Sequence, residues 1–221
     1  MKQLLKLLGT LILAGVCAQA SAQTYPSKPI RLVVGFAPGG AADFVARAIS
    51  EPLSKALGQA IVVENRAGAG SSIAADYVAK SAPDGYTMLI ASPSSISVNP
   101  ALNSKLGYSL RDFAPITKVS TSPLLITVYP GLGVNSIKEL VAVAKKSPGK
   151  LNYSSSGNGS APHLAGVLFG QLAGVDMVHV PFKGGGPSVQ SVLAGDTQVT
   201  FATPPMFRTA SGRGRPWARA A

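Results

Sequence analysis

Gly35-Phe36-Ala37-Pro38-Gly39-Gly40-Ala41-Ala42-Asp43 follows the apolar run Ile30-Arg31-Leu32-Val33-Val34 and opens a helical pattern. It reads as a strand end, a glycine turn and a helix start. Phe44, Ala48 and Leu53 fall near one helical face with Val45 and Ile49 beside them, and Gly58 stands where a helix stop belongs. The first backbone donors of a helix lack intrahelical partners, and the macrodipole adds partial positive charge. Such a turn therefore suits an anion, worth about 0.3–1 kcal/mol to it. Gly39 and Gly40 let a ligand come close. By itself the motif is also what any βα turn needs for its dihedrals, so the rest of the chain has to decide.

Working outward, 221 residues with 46% hydrophobic content permit one large domain or two small lobes. The formal net charge of +11 is concentrated at the ends: Lys2 and Lys6 at one, Arg208, Arg213, Arg215 and Arg219 at the other. With those six set aside the balance falls to +5, and no Arg/Lys stripe with interleaved aromatics remains, which argues against nucleic acid as a partner. Residues 1–22 have the pattern of a secretory signal: lysines, an apolar run from Leu4 to Val16, and the small residues Ala20-Ser21-Ala22 before Gln23. The single cysteine, Cys17, leaves with it, so the mature protein has neither a disulfide nor a thiol nucleophile.

Tyr25-Pro26-Ser27-Lys28-Pro29 is an extended lead-in. The first strand, Ile30–Val34, is nearly all apolar, as a strand covered on both faces should be. Pro52 is expected to kink or divide the first helix. A strand over 60–64, the glycine loop 65–72, a helix over 73–81, the turn Pro83-Asp84-Gly85 and a strand over 86–91 follow, with Ser92 in the polar turn after it. Strands alternating with helices predict a parallel sheet. Two extended runs, 115–120 and 124–129, are expected to cross to a second lobe. There Ser136 caps a helix to about Lys146, a short strand covers 151–153, and a polar turn, 154–160, leads into a helical pattern carrying His163. A strand over 177–180, the turn 181–187, a helix over 188–194 and a strand over 197–201 complete the series. From Met206 the chain has four arginines, no acid and no period, and reads as a tail.

Catalytic constellations are weak. Ser155 or Ser156 with His163 and Asp43 would be a nucleophile, base and orienting group, but no G-x-S-x-G elbow occurs. His163, near a helix start, is disfavoured as a cation, and His179 inside an apolar strand reads as a satisfied core histidine. Two distant histidines make no metal cluster, and neither G-x-G-x-x-G nor G-x-x-x-x-G-K-[ST] is present, so no cofactor is expected. What remains is a set of polar and glycine turns at strand C-termini, equipment for holding a ligand outside the carboxyl ends of an open sheet.

GFAPGGAADFVARAI, VVENRAGAGSSIAADYVAKSAPDGYTMLIAS, LNYSSSGNGSAPHLAGVLF and VPFKGGGPSVQSVLAGDTQVTFA, in this order between Tyr25 and Pro205, resemble the Bug-type periplasmic solute-binding proteins of tripartite tricarboxylate transporters. The resemblance implies an exported, monomeric receptor of the α/β class. It would be two-lobed like the type II periplasmic binding proteins, with parallel-rich sheets flanked by helices and an incomplete first lobe. It divides the chain into a signal (1–22), a first lobe (23–120), a second lobe with crossing strands (121–205) and a non-family tail (206–221). It implies a small carboxylate held between the lobes and passed to transporter subunits in the membrane. Ligand oxygens would be met by Gly39, Gly40, Ala41 and Asp43 from one lobe and Ser155, Ser156, Asn158, Gly159 and Ser160 from the other, with Ser92, Lys183, Gly184 and Gly185 near the cleft. Asp43 is expected to discriminate between ligands, repelling a plain anion. Two departures stand out: Ser191 occupies a place where the family commonly has an acid, and the chain leaves the pattern near Pro205, as a truncated or frame-shifted product would. The competing readings are a secreted serine hydrolase and an inert gene fragment.

Overall fold

Strand β1, Ile30–Val34, lies at the centre of the first lobe because four of its five side chains are apolar and both faces can be covered. In the computed structural model, which describes residues 24–204, β1 pairs in parallel with β2 (Ile61–Asn65) from Ile30↔Ile61 to Val34↔Asn65. On its other edge it pairs in parallel with β3 (Thr87–Ile90), from Arg31↔Thr87 to Val34↔Ile90. The signal stretch 1–22 and the tail 206–221 lie outside the described residues. Helix α1 (Ala41–Leu57) covers the face of Leu32 and Val34, with Ala42, Ala46 and Ile49 packed there beside Ile61, Val63, Met88 and Ile90. On the opposite face Val33 is fully buried, as are Ala74 and Ala75 of helix α2 (Ser72–Ala79). Gly58 ends α1 in the left-handed region, at φ 67°.

Of the two outcomes expected at Pro52, division of the helix does not occur: α1 runs unbroken from Ala41 to Leu57. Ala48, whose carbonyl loses its partner to the missing N–H, is exposed along with Pro52, so water can satisfy that oxygen. A second correction concerns the connection between lobes. After a short helix α3 (Asn99–Leu102) and a 3₁₀ turn at Leu110–Asp112, residues 113–124 form no strand. Pro115 and Pro123 lack donors and 114–123 lie exposed, without a neighbouring strand to pair with.

The second lobe is a four-stranded sheet in the order β4-β7-β5-β6. Strand β4 (Leu125–Val128) runs antiparallel to β7 (Val199–Ala202), while β5 (Asn152–Ser155) is parallel to both β7 and β6 (Val178–Pro181). Its core gathers Leu140 and Ala144 of helix α4 (Ile137–Lys146) with Leu151, Tyr153, Val199 and Phe201. Helix α5 (Ala161–Ala173) follows β5, and helix α6 (Gly185–Ala194) follows β6. Ser136 and Ser160 cap α4 and α5, accepting from Glu139 N (3.1 Å) and His163 N (3.4 Å).

Strand β5 runs two residues further into the serines than its apolar pattern predicts. The cause is a buried hydroxyl network with α6 and β7. Ser154 Oγ donates to Ser188 O (3.0 Å), Ser188 Oγ donates to Ser154 Oγ (2.9 Å), and Thr200 Oγ1 donates to Ser154 O (3.1 Å). Ser191 joins it, donating to Ser188 O (2.8 Å) and accepting from Thr197 Oγ1 (2.7 Å), so this serine is fully engaged. Every hydroxyl in this set has a partner, which lets polar side chains sit inside a sheet without a desolvation penalty.

Candidate functional site

Because β1, β3, β5, β6 and β7 share direction within their sheets, their C-terminal ends feed the turns that face each other between the lobes. Ala37 N donates across this junction to Lys183 O (2.9 Å). A Cβ placed on Gly184 would lie 2.8 Å from Ala37 N, and one on Gly70 would collide with Asn158 O, so the approach requires residues without side chains. All the residues expected to meet the ligand lie at these turns: Gly39, Gly40, Ala41 and Asp43 after β1, Ser92 after β3, Ser155, Ser156, Asn158, Gly159 and Ser160 from the end of β5 to the start of α5, and Lys183, Gly184 and Gly185 after β6.

Two helix starts point donors into the junction. The first intrahelical bond of α1 is Phe44 N to Gly40 O (2.9 Å), which leaves the N–H groups of Ala41, Ala42 and Asp43 ahead of it, and no side chain caps Gly40. In α6 the first bond is Ser188 N to Gly184 O (3.3 Å), again with no side-chain cap. A Cβ on Gly40 would sit 3.4 Å from Gly185 N, so the two starts are adjacent, and their partial positive charges add.

The side chains expected to touch ligand divide into those that are engaged and those that are not. Asp43 is buried, and its carboxylate accepts from Gly39 N (3.0 Å), Arg47 Nε (3.0 and 3.1 Å) and Asn65 Nδ2 (2.9 Å). Burial alone would raise its pKa, but the bonds from Arg47, Gly39 and Asn65 outweigh burial and hold the carboxyl below its usual value. Asn65 Nδ2 also donates to Phe36 O (3.0 Å), so the group fastens the turn after β1 to the end of β2. Ser155 is fully buried. Its Oγ lies 2.6 Å from His179 Nε2 and accepts from Gly157 N (3.1 Å). Gly159 N donates to His163 Nδ1 (3.1 Å). By contrast Ser92 Oγ is buried without a hydrogen-bond partner among the described residues, and so are Ser71 Oγ and, one residue beyond β7, Thr203 Oγ1. Asn158 and Lys183 are exposed.

Sequence reasoning missed four of these features. Arg47, four residues after Asp43 on one helix, was visible as an i,i+4 pair. Asn65 and Ser71 carried no signal, since only the fold brings the end of β2 and the following loop beside the β1 turn. The partner of Ser155 is His179 and not His163, because β5 and β6 pair in register at Tyr153↔His179 and Ser155 is two residues further on. Asp43 lies on the other lobe, tied to Arg47, so the nucleophile–base–carboxylate set considered for hydrolysis is not assembled.

The chain matches the family model described as "Tripartite tricarboxylate transporter family receptor" over residues 45–215. It is 40% identical over 198 residues to BugT of Bordetella pertussis, a span of 88% of this chain and 61% of that protein. Among solved structures it is similar to R. palustris Rpa4515 with adipate (TM-score 0.81, 36% identity, 83% of this chain and 62% of that one). MatC (Rpa3494) from Rhodopseudomonas palustris with bound malate gives a TM-score of 0.76 at 33% identity, over 81% of this chain and 61% of that one. The chain thus spans about three fifths of the length of these relatives.

Proposed function

The chain belongs to the receptor family of the tripartite tricarboxylate transporters, and on that premise we propose that it is a periplasmic solute receptor. It takes a small mono-, di- or tricarboxylate between its lobes and passes it to the transporter's membrane subunits. It acts as a monomer and catalyses no reaction. The observation that carries this reading is the meeting of two uncapped helix starts, α1 and α6; the buried hydroxyls of Ser71 and Ser92, without a partner among the described residues, support it. Backbone N–H groups and neutral hydroxyls suit a carboxylate, whose oxygens only accept. Ligand contacts come from Gly40, Ala41, Ser71, Ser92, Ser156, Asn158 and the Gly184–Gly185 amides, with Lys183 adding positive charge at the rim. Asp43, Ser155, Gly159 and Ser160 are turned into the protein and act by shaping the turns. Export through residues 1–22 is part of the same reading.

A thermal-shift screen of carboxylates tests it. A ligand at 100 times its dissociation constant adds about 2.7 kcal/mol of stability, a readily measured rise in Tm. The reading predicts stabilisation by dicarboxylates such as adipate and malate and none by neutral amides of the same length. Stabilisation by neither class, with covalent labelling of the chain by a serine-directed fluorophosphonate, would overturn it in favour of a hydrolase.

A further inference from the structure

Beneath the second-lobe turn lies a column of three rings. His163 of α5 stacks on His179 of β6 with centroids 4.1 Å apart and an interplanar angle of 21°. His179 stacks in turn on Tyr153 of β5 at 4.9 Å and 27°. The outer imidazole accepts the Gly159 amide at Nδ1, and the inner one holds Ser155 Oγ, which itself accepts the Gly157 amide. The column therefore fixes three consecutive features of the turn between β5 and α5.

We propose that His163 and His179 are positioning residues: they draw Ser155 Oγ and the Gly159 amide inward, away from the cleft, and the turn keeps its ligand-binding shape only while His163 is neutral. This rests on the reading of that turn as part of the carboxylate site. The constraint is sharpest at His163. Its Nδ1 must carry a lone pair to accept Gly159 N–H, so its single ring proton sits on Nε2, and a second proton would set donor against donor. Stacked at 4.1 Å, two imidazolium rings would also repel. Ser155 can either donate to or accept from His179, so one proton on His163 is enough to release the Gly159 end of the turn. Among the described residues, the titratable groups that face the pair are Tyr153 from β5 and, for each histidine, the other ring. Burial keeps His163 below the ordinary 6.5, and burial together with the charge on His163 pushes His179 down to about 4, so the neutral column is the resting form at neutral pH.

His163 is the third residue of α5 after its Ser160 cap, where a capping box places Glu or Gln to accept a backbone N–H from the cap region. Gln offers that acceptor without titrating. The test follows the Gly159 amide and both imidazoles by NMR in the full 221-residue chain, from about pH 7.5 to about pH 4.5, with adipate affinity measured alongside in wild type and His163→Gln. In the wild type the Gly159 amide shift should change with the His163 midpoint. Adipate affinity should fall about tenfold more than in His163→Gln, since adipate's own protonation is common to both. An amide that stays still while His163 titrates, or identical losses in both proteins, overturns the proposal. If adipate binds neither protein at any pH, the receptor reading fails and the amide titration still decides the histidines. Should His163→Gln not fold, the wild-type amide shift decides alone.

Discussion

At Asp43 the first helical turn carries a carboxylate where an anionic ligand is proposed to sit, and its surroundings resolve the conflict. Arg47 neutralises it, while Gly39 N and Asn65 Nδ2 take up its oxygens, so the group braces the glycine turn. Asp43→Ala should remove the carboxylate that accepts from Arg47, Gly39 N and Asn65 Nδ2, costing about 1–3 kcal/mol of stability by urea denaturation. It should also weaken adipate and malate binding by similar factors. A loss confined to one ligand class would mean that Asp43 touches ligand directly. The i,i+4 spacing of Asp43 and Arg47 was legible in the sequence, whereas Asn65 was not, because its place beside Asp43 depends on the pairing of β2 with β1.

Among the elements, apolar strand runs and helices with clear start or stop residues were read to within a residue or two: Ile30–Val34, the helix begun by Ser136 and the one stopped by Gly58 are examples. The misplacements have one physical origin, namely that neighbours decide what polar or proline residues do. Ser154 and Ser155 extend β5 because Ser188, Thr200 and His179 satisfy them, and 115–120 fails as a strand because no partner lies alongside. Two measurements follow at this scale. Ser188→Ala removes hydroxyl contacts to Ser154 and Thr200 in a dry layer and should destabilise the second lobe by about 1–3 kcal/mol, against near neutrality for an exposed serine such as Ser147. The half-buried histidines set a pH dependence as well. Below 6.5 the unfolded chain takes up a proton that folded His179 refuses until about 4, so the urea midpoint should fall as pH drops from 6.5 to about 4 and then lose no more on this account. His179→Asn should flatten that decline.

For the molecule as a whole, the two-lobed plan was legible because four motifs stand in order along the chain. How closely the lobes meet was not, since the Ala37–Lys183 bond and the glycine contacts join residues far apart in sequence. That contact is the handle for testing binding. Gly184→Val, at extended backbone that a side chain can adopt, would press its Cβ against Ala37 of the other lobe and hold the lobes apart. Calorimetric titration of adipate into wild type and Gly184→Val tests the central claim most directly. One saturable site in the wild type, weakened about tenfold or more in a Gly184→Val protein of unchanged Tm, is the predicted result. Equal affinity in the two proteins, or no saturation by adipate or malate in a cooperatively folded wild-type chain, would contradict it.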